Sequence, residues 1–349
     1  MKKLLSCLAA PILVCALWCA SVSAGQANVF VYHRFGDNRY PSTDIAVATF
    51  AAQLQLLKDQ DYTVLPLGEI VRRLRQGESL PERCAALTVD DAFESFWTGA
   101  RPLLQRYGFP VTLFVATDTV GGDSYLSWEQ LRTLVAEGVE IGNHTASHPY
   151  LLDRKKAESR QAWEKRIRRQ ILAAQVRIKK ELGITPSLFA YPYGEYDPAT
   201  EKIVSGLGFA AAVGQQSGVI APWMDMFALP RFPMGGEYAT LEGFREKLHM
   251  KPLPVRVVSP DTPVVGAADP PVLVVDLGEA AKLDLRHLRC FVQGQGNADI
   301  EADREIPGRF TVRAVSPLAG RRNKYTLTAP GRDGRSWYWF SQLWVFPGR

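Results

Sequence analysis

The chain has 349 residues, 46% hydrophobic and 22% charged, enough for one large domain and a smaller one. That balance excludes a disordered chain and a multispan membrane protein. A net charge of +5, two of it from Lys2 and Lys3, is too mild to argue for nucleic acid as a partner.

Lys2-Lys3, an apolar stretch over residues 4–20 and then Ser21-Val22-Ser23-Ala24 read as the basic, apolar and cleavage regions of a signal peptide spanning residues 1–24. The apolar run is short for a membrane span and no basic stop-transfer cluster follows it. The expectation is an exported protein, periplasmic or secreted, with no stable membrane span after cleavage. Cleavage after Ala24 leaves Cys84 and Cys290, read as two buried free thiols in different domains, and no zinc-type cysteine spacing is present.

Residues 28–33 read as a short buried strand ending in His33, and residues 50–60 and 67–76 as helices by their apolar spacing. A strand over 85–89 stops at Asp90-Asp91; a helix over 100–107 and a strand over 111–116 follow. Ser127 caps the next helix, 138–142 is a strand leading into Asn143-His144, and 155–182 is a long amphipathic helix ended by Gly183. A strand at 188–191, a helix near 198–206 and a strand at 210–213 complete the pattern. This alternation predicts an α/β domain over residues 28–250 with parallel strands and helical crossovers, either a barrel or an open sheet. From residue 251 the prolines 252, 254, 260, 263, 270 and 271 predict a linker over 251–270. Residues 271–349 then carry short strand-like runs between turns, the pattern of a small all-β sandwich.

Polar chemistry stands just after strand ends, where barrels of this kind keep their sites. Asp90 and Asp91 reach one site only if the strand has ended, because neighbours within a strand face opposite sides. Two adjacent carboxylates repel unless a cation is present; a divalent metal on Asp91 would leave Asp90 free as a base. His144 and His148 are four apart, as on one helical turn, so both imidazoles can meet one ion. Two histidines and a carboxylate leave coordination positions open, as a catalytic zinc site requires.

Three segments resemble motifs of the polysaccharide deacetylase family (the NodB-homology domain, carbohydrate esterase family 4): Thr88-Val89-Asp90-Asp91-Ala92-Phe93, His144-Thr145-Ala146-Ser147-His148 and Tyr191-Pro192-Tyr193-Gly194. The resemblance covers about residues 28–250 and implies a distorted (β/α) barrel. It further implies a zinc-type ion (Zn2+, with Co2+ or Ni2+ as alternatives) on Asp91, His144 and His148, with Asp90 as general base and the Tyr193 backbone N–H at the oxyanion. The implied substrate is a polysaccharide containing N-acetylglucosamine, which loses its acetyl groups as acetate. Two departures matter. Ala190 stands where the family's third motif usually has a base-orienting arginine, and Arg231 is the candidate replacement, with a surface arginine as the alternative. No late strand offers the usual acid; His33 is the preferred candidate over His249, and Tyr32-His33 resembles the branch that deacetylates β-1,6-linked poly-N-acetylglucosamine.

Phe93, Trp97, Trp128, Tyr193 and Phe232 are candidates for the walls of a sugar site, although most are expected in the core. Core is also expected for the aromatic run from Trp337 to Trp344, and a solvated helix face for Lys165 to Arg169. An O-acetyl esterase acting on a glycan and a non-catalytic carbohydrate-binding protein are the competing functions; the intact Asp90, Asp91, His144 and His148 favour an enzyme.

Overall fold

A computed structural model describes residues 25–266 and 270–348. The segment expected to be a signal peptide lies outside them. Among the described residues, no helix is long and apolar enough to cross a membrane.

The first domain is a curled, mostly parallel sheet with helical crossovers. Its strands are β1 (Ala27–Tyr32), β2 (Cys84–Val89), β3 (Thr112–Val115), β4 (Glu140–Asn143), β5 (Leu188–Ala190) and β6 (Ala211–Val213), hydrogen-bonded in that order. All six residues of β1 and of β2 are buried, as continuous apolar strands covered on both faces must be. At the β1 edge, β7 (Val219–Ile220) pairs antiparallel with Ala27 and Asn28, and β8 (Phe232–Pro233) pairs parallel with Phe30 and Val31. The segment before β8 bridges Leu229 to Val213 of β6. The two edges of the sheet are therefore tied by residues 229–233, which makes a distorted, strand-poor closure of the barrel.

The crossover helices are α1 (Val47–Asp59), α2 (Leu67–Gln76), α3 (Arg101–Tyr107), α4 (Trp128–Ala136), α5 (Arg160–Leu182), α6 (Pro198–Ser205) and α7 (Leu241–Leu248). Local chemistry sets their ends. Ser127 and Gln130 form a reciprocal capping box on α4, and Asp197 and Thr200 do the same for α6. The long helix begins at residue 160 instead of 155 because Ser159 caps it, accepting from the Ala162 N–H. It ends at Gly183 in the left-handed conformation, as expected.

The second domain is two packed sheets. One runs β9 (Met250–Pro252), β16 (Trp337–Val345), β15 (Arg322–Pro330), β12 (Arg289–Val292) and the short Gly296–Asn297 strand. The other runs β10 (Val255–Ser259), β11 (Val272–Leu277), β14 (Arg309–Arg313) and β13 (Asp299–Ala302). Strand β10 and all but the first residue of β9 lie inside the span read as linker. Prolines at 252, 254 and 260 are tolerated because they sit at strand ends and edges, where no ladder N–H is required. Leu273, Val275, Tyr325, Leu327 and Trp344 fill the sandwich core. Cys84 and Cys290 are both buried and free, one in each domain.

The two domains are docked. Leu343 and Val345 pack with Leu152, and Trp339 meets Phe232 edge-on at 5.7 Å. Arg321 reaches across to both Asp153 and Glu195 at 2.7–3.2 Å.

Candidate metal and catalytic centre

Strand β2 ends at Val89, and Asp91 and Ala92 follow with φ of 73° and 58°. This turn out of the strand lets consecutive carboxylates serve one site. Asp90 stays fully buried, whereas Asp91 opens toward the surface. The histidine pair is held by a different device from the helical turn expected. Residues 144–148 form an irregular loop in which Thr145 and His148 have φ of 70° and 53°. Asn143 accepts from the Thr145 N–H at 2.8 Å, and the Thr145 hydroxyl accepts from the His148 N–H at 3.1 Å. The chain doubles back and brings the two imidazoles together without a helix.

Nε2 of His144 and of His148 lie 3.4 and 3.3 Å from Oδ1 of Asp91, and 3.1 Å from each other. A tetrahedral ion with ligands at about 2.0–2.1 Å spaces its donors about 3.3 Å apart. The donor set fits: Nδ1 of His144 sits 2.8 Å from the Ala190 carbonyl, which fixes a proton there and turns the Nε2 lone pair to the centre. Among the described residues, this is the group of three that can hold a metal ion. Burial lowers His148 to about 4, helped by His144. Burial opposes charge on His144 as well, but the Asp91 and Asp90 carboxylates leave its pKa raised. Asp91 is held far below the usual carboxylate range; burial pushes it up and the hydrogen bond from His144 outweighs that.

Asp90 is gripped by Arg231, which donates from Nη1 to Oδ1 and from Nη2 to Oδ2, both at 2.8 Å. Both side chains are 0% exposed. The remaining guanidinium donors go to the Gly214 carbonyl at 2.9 Å and the Thr88 hydroxyl at 3.0 Å. Residue 190 supplies no arginine, so the guanidinium arrives from the closing segment 229–233. Burial opposes the Asp90 charge, but Arg231, His144 and His33 leave its pKa lowered.

His33 follows β1 and places Nε2 4.0 Å from Oδ2 of Asp90. Burial lowers its pKa against the pull of Asp90 and Asp91. His249 is elsewhere: it ends α7 exposed, with Nδ1 2.7 Å from the Arg245 carbonyl. Sequence reasoning missed Gln215, whose amide lies 3.4 Å from His33 Nε2 and 3.5 Å from Asp90 Oδ2. Gly194 makes its approach possible, because a Cβ there would stand 2.6 Å from the Gln215 backbone nitrogen.

These groups open into a cleft of about 560 Å³ lined by His33, Asp91, His148, Tyr193 and Gln215 on one side and by Arg321, Arg322 and Lys324 of the β domain on the other. Tyr193 takes φ of 60°, meets His148 edge-on at 4.4 Å and stacks on Tyr150 at 4.0 Å, and Arg321 covers Tyr150 at 3.9 Å. Of the five aromatic residues considered for a sugar wall, Tyr193 alone lines this cleft. Phe93 lies under Arg34, Trp97 under Arg101 and Trp128 under Arg177, while Phe232 is in the core.

The profile of the polysaccharide deacetylase family matches residues 77–212, which span Asp90, Asp91 and both histidines. Residues 77–212 thus carry a polysaccharide deacetylase domain. Its relatives include the poly-beta-1,6-N-acetyl-D-glucosamine N-deacetylase of Staphylococcus aureus strain MRSA252, 23% identical over 64% of this chain and 81% of that one. The structure of IcaB from Ammonifex degensii superposes with a TM-score of 0.56 at 25% identity, over 64% of this chain and 99% of the other. The Streptococcus pyogenes deacetylase PplD in complex with acetate shares the fold, with a TM-score of 0.57 at 22% identity over 64% and 98% of the two chains. A deacetylase-type hydrolase site, with a triad able to chelate a divalent metal, is thus present.

Proposed function

We propose that the protein removes acetyl groups from N-acetylated sugars, with N-acetylglucosamine units as substrate, in an extracellular or cell-wall polysaccharide. The observation that carries the reading is the convergence of Asp91, His144 and His148 beside the Arg231-clamped Asp90, with His33 on the same cleft. The named activity of the Staphylococcus aureus relative supports an N-acetylated glycan. The basic and apolar stretch over residues 2–24 supports a reaction outside the cytoplasm.

A divalent ion on the triad, with zinc the first choice for two imidazoles and a carboxylate, supplies Lewis acidity and a more acidic water. Asp90 takes the proton of the attacking water as the new C–O bond forms at the acetyl carbon. Arg231 keeps that carboxylate ionised and fixed in plane before the reaction. The Tyr193 backbone N–H is offered to the developing oxyanion. His33 gives a proton to the nitrogen as the C–N bond breaks, so acetate and an amine leave.

The test is acetate release by the purified protein from N-acetylglucosamine oligomers, peptidoglycan and acetylated xylan, with chelator and with added zinc. Chelator-sensitive release from an N-acetylated glycan is expected. Release from acetylated xylan alone would replace the reading with an O-acetyl esterase.

A further inference from the structure

Strand β15 of the β domain and the residue before it bring three cations to the cleft, Arg321, Arg322 and Lys324. Their partners differ. Arg321 is spent on Asp153 and Glu195. Arg322 donates once to the Tyr193 carbonyl at 3.0 Å and lies 3.8 Å from the same Glu195. Lys324 has no carboxylate partner among the described residues; its ammonium donates to the Gln215 carbonyl at 3.3 Å. Asp91, which lines the cleft, is committed to the histidines, and the buried Asp90 behind it to Arg231. A half-buried ammonium facing a cleft without a counter-ion is costly, and an arriving anion relieves that cost.

We propose that Lys324, assisted by Arg322, is a subsite for an anionic group of the glycan, a carboxylate or phosphate carried by the acetylated sugar or its neighbour. The β domain then selects an acidic polymer. This rests on the deacetylase reading and names its substrate class. Gln215 links the subsite to the reaction centre, since its carbonyl takes Lys324 and its side-chain amide lies against His33 and Asp90. Burial, with Arg322 and Lys247 nearby, holds Lys324 down to about 8, as befits a cation lacking its counter-charge.

The experiment uses the full zinc-loaded chain and three matched N-acetylated oligosaccharides. One bears a carboxylate, the second is the same oligomer with that carboxyl reduced to an alcohol, and the third bears a phosphate. An anionic form is expected to exceed the reduced form in kcat/KM on the order of ten- to a hundredfold, the range of a charge-assisted hydrogen bond. Lys324→Gln is expected to bring that ratio toward one, and Lys324→Arg to restore it. A Lys324 that merely props Gln215 would change all three substrates alike, and a ratio equal in wild type and Lys324→Gln overturns the proposal. The larger of the two anionic advantages names the group recognised. If none of the three releases acetate, the deacetylase reading fails and calorimetric binding of the same oligomers decides the subsite. Tighter binding of an anionic form that Lys324→Gln abolishes sustains it; equal affinities overturn it.

Discussion

Each domain sends an arginine to the centre of the molecule, and the two are used differently. Arg231 and its partner Asp90 are wholly enclosed, with every guanidinium nitrogen hydrogen-bonded inside the first domain. Arg321 crosses between domains, 11% exposed, to one buried carboxylate, Glu195, and one that is 35% exposed, Asp153. An enclosed ion pair is a poor source of stability, because desolvation cancels most of its attraction, yet removing one partner is severe. What it fixes here is the position of the Asp90 carboxylate beside the metal-capable triad. The interdomain fork keeps contact with water and pays a smaller desolvation cost, and it presses Tyr150 and Tyr193 against His148. One fork holds the Asp90 carboxylate, and the other fixes the wall of the cleft.

The sharpest test of this contrast is Asp90→Asn. Loss of acetate release by about 10³-fold or more is expected while the zinc content, measured by atomic absorption, is unchanged. Retained turnover would remove Asp90 from the role of base. Arg231→Met strands the Asp90 charge in the interior and is expected to lower unfolding stability by about 3–5 kcal/mol in urea titrations. His33→Ala is expected to reduce kcat by about 10²-fold, whereas His249→Ala leaves it within error; the reverse order would move the acid. Arg321→Ala is expected to cost about 1–3 kcal/mol and to admit protease between the domains, with the metal still bound. Unchanged proteolysis would show that apolar contacts alone hold the interface.

The smallest effect concerns pH. Burial, with Asp225 and Asp197 nearby, raises Glu201 from 4.5 to about 7. The folded chain therefore binds this proton more tightly than the unfolded one. The stabilisation is complete below about pH 4.5 and is lost as pH rises toward 7. Glu201→Gln is expected to flatten the melting temperature across that window, and an unaltered slope would assign it to other groups.

The alternation of strands and helices, the strand stopping at Asp90 and the caps at Ser127 and Gly183 were legible because each depends on residues close in sequence. The metal-capable triad was legible because only a few residue types bind such ions and His144 and His148 are near neighbours. Their means of convergence was not. Four-residue spacing fits a helical turn and a doubled-back loop equally. The choice between them shows in the positive φ values of Thr145 and His148 and in the local hydrogen bonds of Asn143 and Thr145, which the spacing of the two histidines does not encode. The strands within residues 250–259 were hidden by prolines, whose placement at sheet edges depends on which strands lie beside them.

By itself, the order of local patterns determined the crossover domain, the β-rich second domain and the three residues able to bind metal. Tertiary structure decided which distant residues join them. Arg231 reaches Asp90 across 141 positions, Gln215 approaches His33 across 182, and Lys324 meets Gln215 across 109. Such pairings come from the curl of the sheet and the docking of one domain on another, and no periodicity along the chain encodes them.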